Sequence, residues 1–246
     1  MASNSEKGHA KNVANFKDLI TYSTGFGSQY NPSRTELGLP ALNTMQTEGE
    51  ALLTDLNNAM PPYNTAVALK DEAFKPFNKL ITKAFNSFSS CGALKGEVDN
   101  AFTLAKKLKG QATKTEKAKE AEAAGKDPVS QAQLSMDMRL ENFDKFIKIL
   151  AANPKYKPNE TELQVASLQA LHTQLKTLSE AIVAASGPVL AARSSRNNLL
   201  YAEETGLVDI ANDVKKYIRS VFTADSLEYK KIVALKFSKP KKKKVV

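Results

Sequence analysis

Cysteine occurs once in this chain and histidine twice, and no apolar stretch runs unbroken for long. Cys91 alone excludes an intramolecular disulfide and any multi-cysteine metal site. No basic pair or histidine adjoins it to activate a thiolate, so a structural thiol is expected. The longest weakly polar stretch, Ala181 to Ala192, is interrupted by Ser186, Gly187 and Pro188. A bilayer span needs about 20 apolar residues, so no membrane span is expected. Met1 to Lys17 has no apolar core, so no secretory signal is expected either. His9 falls in a polar segment, and His172 flanks the apolar Leu171 at the place Gln46 occupies in an earlier, similar stretch. No HExxH, CxxC, GxSxG or phosphate-loop pattern occurs. A di-metal carboxylate bundle needs Glu-x-x-His pairs, and Glu141, Glu162 and Glu180 lack the histidine. The expectation is therefore no enzyme, no metal and no cofactor, in a reducing, cytoplasmic setting.

What is present is helix-forming. Ala, Leu and Lys dominate, and Val, Ile, Tyr and Phe are too sparse and irregular for a sheet protein, which makes the expected fold class all-α. The formal charge is +9, and it is concentrated. Lys215 to Val246 holds 11 basic and 2 acidic residues, leaving 24 of each sign elsewhere. Arguments about charged partners thus belong to the C-terminal end.

The chain repeats itself. Tyr30 to Leu42 reads YNPSRTELGLPAL and Tyr156 to Leu168 reads YKPNETELQVASL, offset by 126 residues. Each copy opens with a short amphipathic helix, on Val13, Phe16 and Ile20 in one and Leu140, Phe143 and Ile147, extended back by Met136, in the other. Asp127-Pro128 suits the start of the second of these, Gly25 and Gly27 the end of the first, and Asn153-Pro154 the end of the second. Ser33 with Glu36, and Asn159 with Glu162, have the spacing of a reciprocal cap. Seams at Leu42, Met45, Gly49, Leu52, Leu56 and Ala59, and at Leu168, Leu171, Leu175, Leu178, Ile182 and Ala185, follow with heptad spacing. Met60-Pro61-Pro62 and Gly187-Pro188 then read as stops. A third helix carries Phe74, Phe77, Ile81, Ala84 and Phe88, matched at an offset of 133 by Leu207, Ile210, Val214, Tyr217 and Val221. That offset implies seven extra residues within Arg193 to Gly206 in the second copy. The expected architecture is internally duplicated three-helix units forming one or two antiparallel bundles. Residues 9–109 and 128–237 would be the repeats, 110–127 a Lys/Glu/Ala-rich connector, and 238–246 a basic tail. A last helix is expected from Ser226 to Phe237.

Two sets of residues offer binding chemistry. Arg193, Arg196, Asn197 and Tyr201 share one helical face and could take a carboxylate or phosphate; the alternative is pairing with Glu203 or Glu204. Lys239, Lys241, Lys242, Lys243 and Lys244 form a polyanion-binding run, steeply salt-dependent and without sequence preference. No aromatic residue interleaves them to stack on bases.

Arg193-x-x-Arg-Asn-x-Leu-Leu-Tyr201, Gly206-Leu-Val-Asp-x-Ala211, Val214-Lys-Lys-Tyr217, Phe222 and Ser226-x-Glu-Tyr-Lys230 through Leu235-Lys-Phe237 resemble a run in uncharacterised helical proteins, mainly of Bacteroidetes. The resemblance covers about residues 193–237, with Thr223 where the run has Gly. It implies a bacterial cytoplasmic protein and brings no activity or site residue with it. The functional expectation is a non-enzymatic binding or scaffold protein that docks on nucleic acid or a ribonucleoprotein through the basic C-terminus. The alternative is a structural or self-assembling protein, a homo-oligomer in which the tail serves only solubility.

Overall fold

The computed structural model describes residues 4–110 and 136–240. The connector, the Asp127-Pro128 start signal and Lys241 to Lys244 lie outside them. The secondary structure of the described residues is helical, with no strand: α1 (Asn4–Gly25), α2 (Leu39–Phe74), α3 (Phe77–Ser90), α4 (Lys95–Leu108), α5 (Met136–Ala152), α6 (Val165–Tyr201), α7 (Leu207–Val221) and α8 (Leu227–Ala234). Short 3-10 turns cover Gly27–Gln29, Thr35–Leu37 and Thr161–Leu163.

The chain divides into two compact units that do not follow the repeat boundaries. One comprises Met1–Pro61 with Ser186–Val246, the other Pro62–Ala185. In the first unit, α1 packs on α7 and α8. Its core joins Val13, Phe16, Leu19 and Ile20 to Leu207, Ile210, Ala211, Val214, Ile218 and Ile232. In the second, α5 packs on α4, and α3 on α4 and the Thr161–Leu163 turn. Phe143, Phe146, Ile147 and Leu150 meet Phe77, Ile81, Ala84, Phe88, Ala101, Ala105 and Leu108 there. The opening helix of each sequence segment is thus buried against the closing helices of the other. Each fully buried side chain of this size contributes about 1.5–3 kcal/mol, so these pairings define the units.

Several local expectations are corrected. The prolines do not stop the helices: α2 runs through Pro61-Pro62 and α6 through Gly187-Pro188. A proline lacks the N–H for the carbonyl four residues back. Those carbonyls belong to Asn57, Asn58 and Ala184, all on exposed residues where water can take the bond. Buried positions on either side, Leu56 and Ala66 in α2, Leu175 and Val189 in α6, hold the helix across the defect. Continuity also removes the ground for excluding a span. By length and composition Val165–Tyr201 could cross a bilayer, although only 11% of its apolar window is buried. Leu168 and Leu175 seat in the second unit's core and Leu200 in the first's.

The reciprocal caps are the second correction. Glu36 pairs with Arg34 at 3.4 Å and Glu162 with Lys83 at 2.7 Å. Thr35–Leu37 and Thr161–Leu163 instead form 3-10 turns without side-chain caps. Tyr30 Oη donates to the Leu37 carbonyl at 2.6 Å, and Tyr156 Oη to the Leu163 carbonyl at 2.7 Å. With Leu37 and Leu163 buried, these bonds fix the turn, and the helix begins only beyond it. A side-chain cap does form at Ser226, whose Oγ accepts from the Tyr229 N–H at 3.1 Å, and α8 is shorter than expected because the backbone turns extended at Leu235.

Burial also resets the register of the third helices. Phe77, Ile81, Ala84 and Phe88 are buried in α3, and Leu207, Ala211, Val214 and Ile218 in α7, whereas Val221 is exposed. The offset is 130, so the second segment holds four extra residues, about one helical turn, instead of seven. One extends α6 and the rest lengthen the α6–α7 connection.

Candidate polyanion-docking site

The last turns of α6 carry the Arg193, Arg196, Asn197 and Tyr201 face, and their roles separate. Arg196 is buried, and its Nε and Nη2 donate to Asn197 Oδ1 at 3.2 and 2.9 Å. Arg193 is exposed, its Nη2 3.7 Å from Met60 Sδ. Tyr201 is half-buried and turned to α1, with its hydroxyl 2.6 Å from His9 Nδ1 and 3.4 Å from Asn12 Nδ2. Burial pushes the Tyr201 phenol pKa up. The four do not form one open face. Glu204, the alternative partner for the arginines, adopts a left-handed φ of 65° and donates its N–H to Asp209 Oδ2 at 3.0 Å.

The root of the basic tail is fixed on the same surface. Asn12 Nδ2 donates to the Ser238 carbonyl at 2.8 Å while its Oδ1 accepts from the Ser238 N–H at 3.1 Å. Asn15 Nδ2 donates to the Lys236 carbonyl at 2.7 Å. Lys215 Nζ bonds the Leu235 carbonyl and lies 4.9 Å from the Phe237 ring centroid. Lys239 Nζ donates to Asp209 Oδ2 at 2.6 Å. That contact is the first cause holding the Asp209 carboxyl below its usual range, and the Glu204 N–H adds to it. Lys239 is therefore engaged within the fold, and the remaining lysines of the run follow it.

The two candidate sets converge on Asn12, which touches both Tyr201 and Ser238. Asn12 and His9, both almost fully buried, gave no signal in the sequence. Each is a polar residue set into the buried face of α1 in line with the Val13 and Phe16 stripe, and their partners lie about two hundred residues away. His172 stands beside the Phe143 ring, centroids 6.0 Å apart, and Cys91 is half-buried at the end of α3. Among the described residues no group of three His, Cys, Asp or Glu could hold a metal ion. The arrangement offers charge and fixed hydrogen bonds. No protein-family model, curated protein or solved structure matches this chain.

Proposed function

We propose that the protein is a non-enzymatic helical binding or scaffold protein, built on a duplicated unit, that docks on a polyanion through its basic C-terminus. The carrying observation is the placement of charge: the whole formal excess of +9 lies from Lys215 onward. Asn12, Asn15 and Asp209 support this reading by fixing residues 236–239 on α1 and α7, so that the lysine run starts from a set place. Nucleic acid or a ribonucleoprotein surface in the cytoplasm is the partner of matching chemistry. Four or five phosphate contacts would release that many counterions and give a log–log salt slope of roughly −3 to −5.

The test is retention on RNA or heparin as salt is raised, for the full chain and for one lacking residues 238–246. Retention by the full chain alone supports the reading. Equal retention of both removes the tail as docking element. A second reading, self-assembly, draws support from Val183 and Leu190, 69% and 63% exposed on α6. It predicts a particle size that grows with concentration and survives the same truncation.

A further inference from the structure

The third helices α3 and α7 align at an offset of 130, which sets Lys79 and Lys83 at the positions of Asp209 and Asp213. Both carboxylates of the first unit are met from within. Lys239, from the segment after α8, reaches Asp209 at 2.6 Å. Arg34 and Lys216 reach Asp213, each at 2.8 Å. The second unit reverses the charge at both positions. Its segment after α4 also returns a lysine, Lys109, to the third helix. There Lys109 Nζ meets the Thr82 hydroxyl at 3.5 Å, with lysine where the first unit has its carboxylate.

Asn78, Lys79, Thr82, Lys83 and Lys109 line an open cavity of ≈ 520 Å³. Lys83 pairs with Glu162 at 2.7 Å. Among the described residues neither Lys79 nor Lys109 makes an ion pair. Three ammoniums against one carboxylate leave two positive charges uncompensated, beside the Asn78 side-chain amide as a neutral donor, while the Thr82 hydroxyl donates to the Asn78 carbonyl at 2.9 Å. Composition conceals this, because the chain before Lys215 is neutral in sum.

We propose that this cleft binds a phosphate group, carried by a free phosphoester or by a nucleic-acid backbone. The anion takes the role that the Asp209 carboxylate plays in the first unit. Two uncompensated ammoniums match a dianion better than a single carboxylate, and phosphate has oxygens enough for the amide as well. The inference does not rest on the tail.

The full-length, isotope-labelled chain is titrated with inorganic phosphate at constant ionic strength, and backbone amide shifts are followed. Thr82, Lys83 and Lys109 should shift and saturate, while Lys145, already paired with Glu141, should not. Lys79→Asp restores the first unit's pairing by giving Lys109 an internal carboxylate. It should weaken phosphate binding by about tenfold or more without lowering the unfolding midpoint, since Lys79 is exposed in the first turn of α3, where an acid is favourable. A short single-stranded oligonucleotide is titrated in parallel. Tighter binding than phosphate at the same amides, lost in Lys79→Asp, assigns the ligand to a nucleic-acid backbone. Saturation by phosphate, with the oligonucleotide shifting only residues from Ser238 onward, assigns it to a free phosphoester. No saturating shift at Thr82 and Lys109, or an affinity unchanged by Lys79→Asp, overturns the proposal. Because the readout is residue by residue, failure of the tail to bind leaves this result separately legible.

Discussion

Gly206 lies so close to Ala202 that a Cβ built on it would stand 2.6 Å from both the backbone nitrogen and the backbone oxygen of that residue. The Gly206 N–H donates to the Ala202 carbonyl at 2.9 Å, and its own carbonyl accepts from the Ile210 N–H at 3.0 Å, so the turn closes α6 onto α7. The obstacle is backbone, which cannot swing aside as a side chain would. Gly206→Ala should therefore cost about 1–3 kcal/mol, the range for overpacking. Gly187→Ala is the contrast: nothing lies within 4 Å of its Cβ, it is exposed, and it sits inside a helix. That change should stabilise by roughly 0.5–1 kcal/mol. Chemical denaturation of the two variants gives the comparison; equal effects would contradict this geometry.

Asn12 secures Ser238 by both its donor and its acceptor, at 99% burial of the asparagine itself. Asn12→Ala leaves the Ser238 N–H and carbonyl without those partners and should cost about 1–3 kcal/mol. Hydrogen exchange at the Ser238 amide should rise, while exchange across α3 to α5 stays as it was. Protection of Ser238 that survives the substitution would mean that other contacts hold the tail root.

Pro61, Pro62 and Pro188 interrupt helices that continue on both sides. A proline in a helix interior is about 3 kcal/mol less favourable than alanine. Pro188→Ala returns a donor to the Ala184 carbonyl and should raise the thermal midpoint with helix content nearly unchanged. A helix that ended at Gly187 would gain nothing from it, so an unmoved midpoint argues for a break there.

The Tyr156 phenol is pushed up to about 12 from an ordinary 10, chiefly by burial and secondarily by Cys91 nearby. A raised pKa means that folding favours the neutral phenol. Its contribution is complete below pH 10 and is lost as pH climbs from 10 to about 12. Tyr30, buried likewise and bonded to Leu37, is raised in the same direction. Tyr156→Phe should cost about 0.5–1.5 kcal/mol at neutral pH through the lost bond to Leu163, and should flatten the alkaline limb of a stability profile. A limb as steep as in the parent would assign alkaline unfolding to other groups.

The stripes on Val13, Phe16 and Ile20, on Leu140, Phe143 and Ile147, and on Phe77, Ile81, Ala84 and Phe88 were legible because helical periodicity is a local property of the sequence. Proline was misread for the same reason. Its propensity is local, and burial at Leu56, Ala66 and Val189 overrides it. The spacing of Ser33 and Glu36 suggested a cap, but the Tyr30 hydroxyl, reaching over seven residues, takes the Leu37 carbonyl into a tighter turn. Which helix faces which was not legible, since α1 and α7 could pair in either unit on apolar content alone. The lysine run could be read directly. The cleft at Lys79 and Lys109 could not, because its meaning lies in a comparison with Asp209 that exists only once the buried positions set the offset at 130.

The exchange of opening helices between the two sequence segments has a kinetic consequence. Pro62–Ala185 is one continuous stretch, so the second unit can close on itself as soon as that stretch exists. The first unit must bring together groups as far apart as Asn12 and Ser238, 226 residues along the chain. During synthesis α1 emerges long before α7 and α8, and its apolar stripe stays uncovered until they arrive. High contact order slows such closure and prolongs exposure of that surface. A helix made early is therefore among the last to be buried, and refolding should show a slow phase carried by α1, α7 and α8.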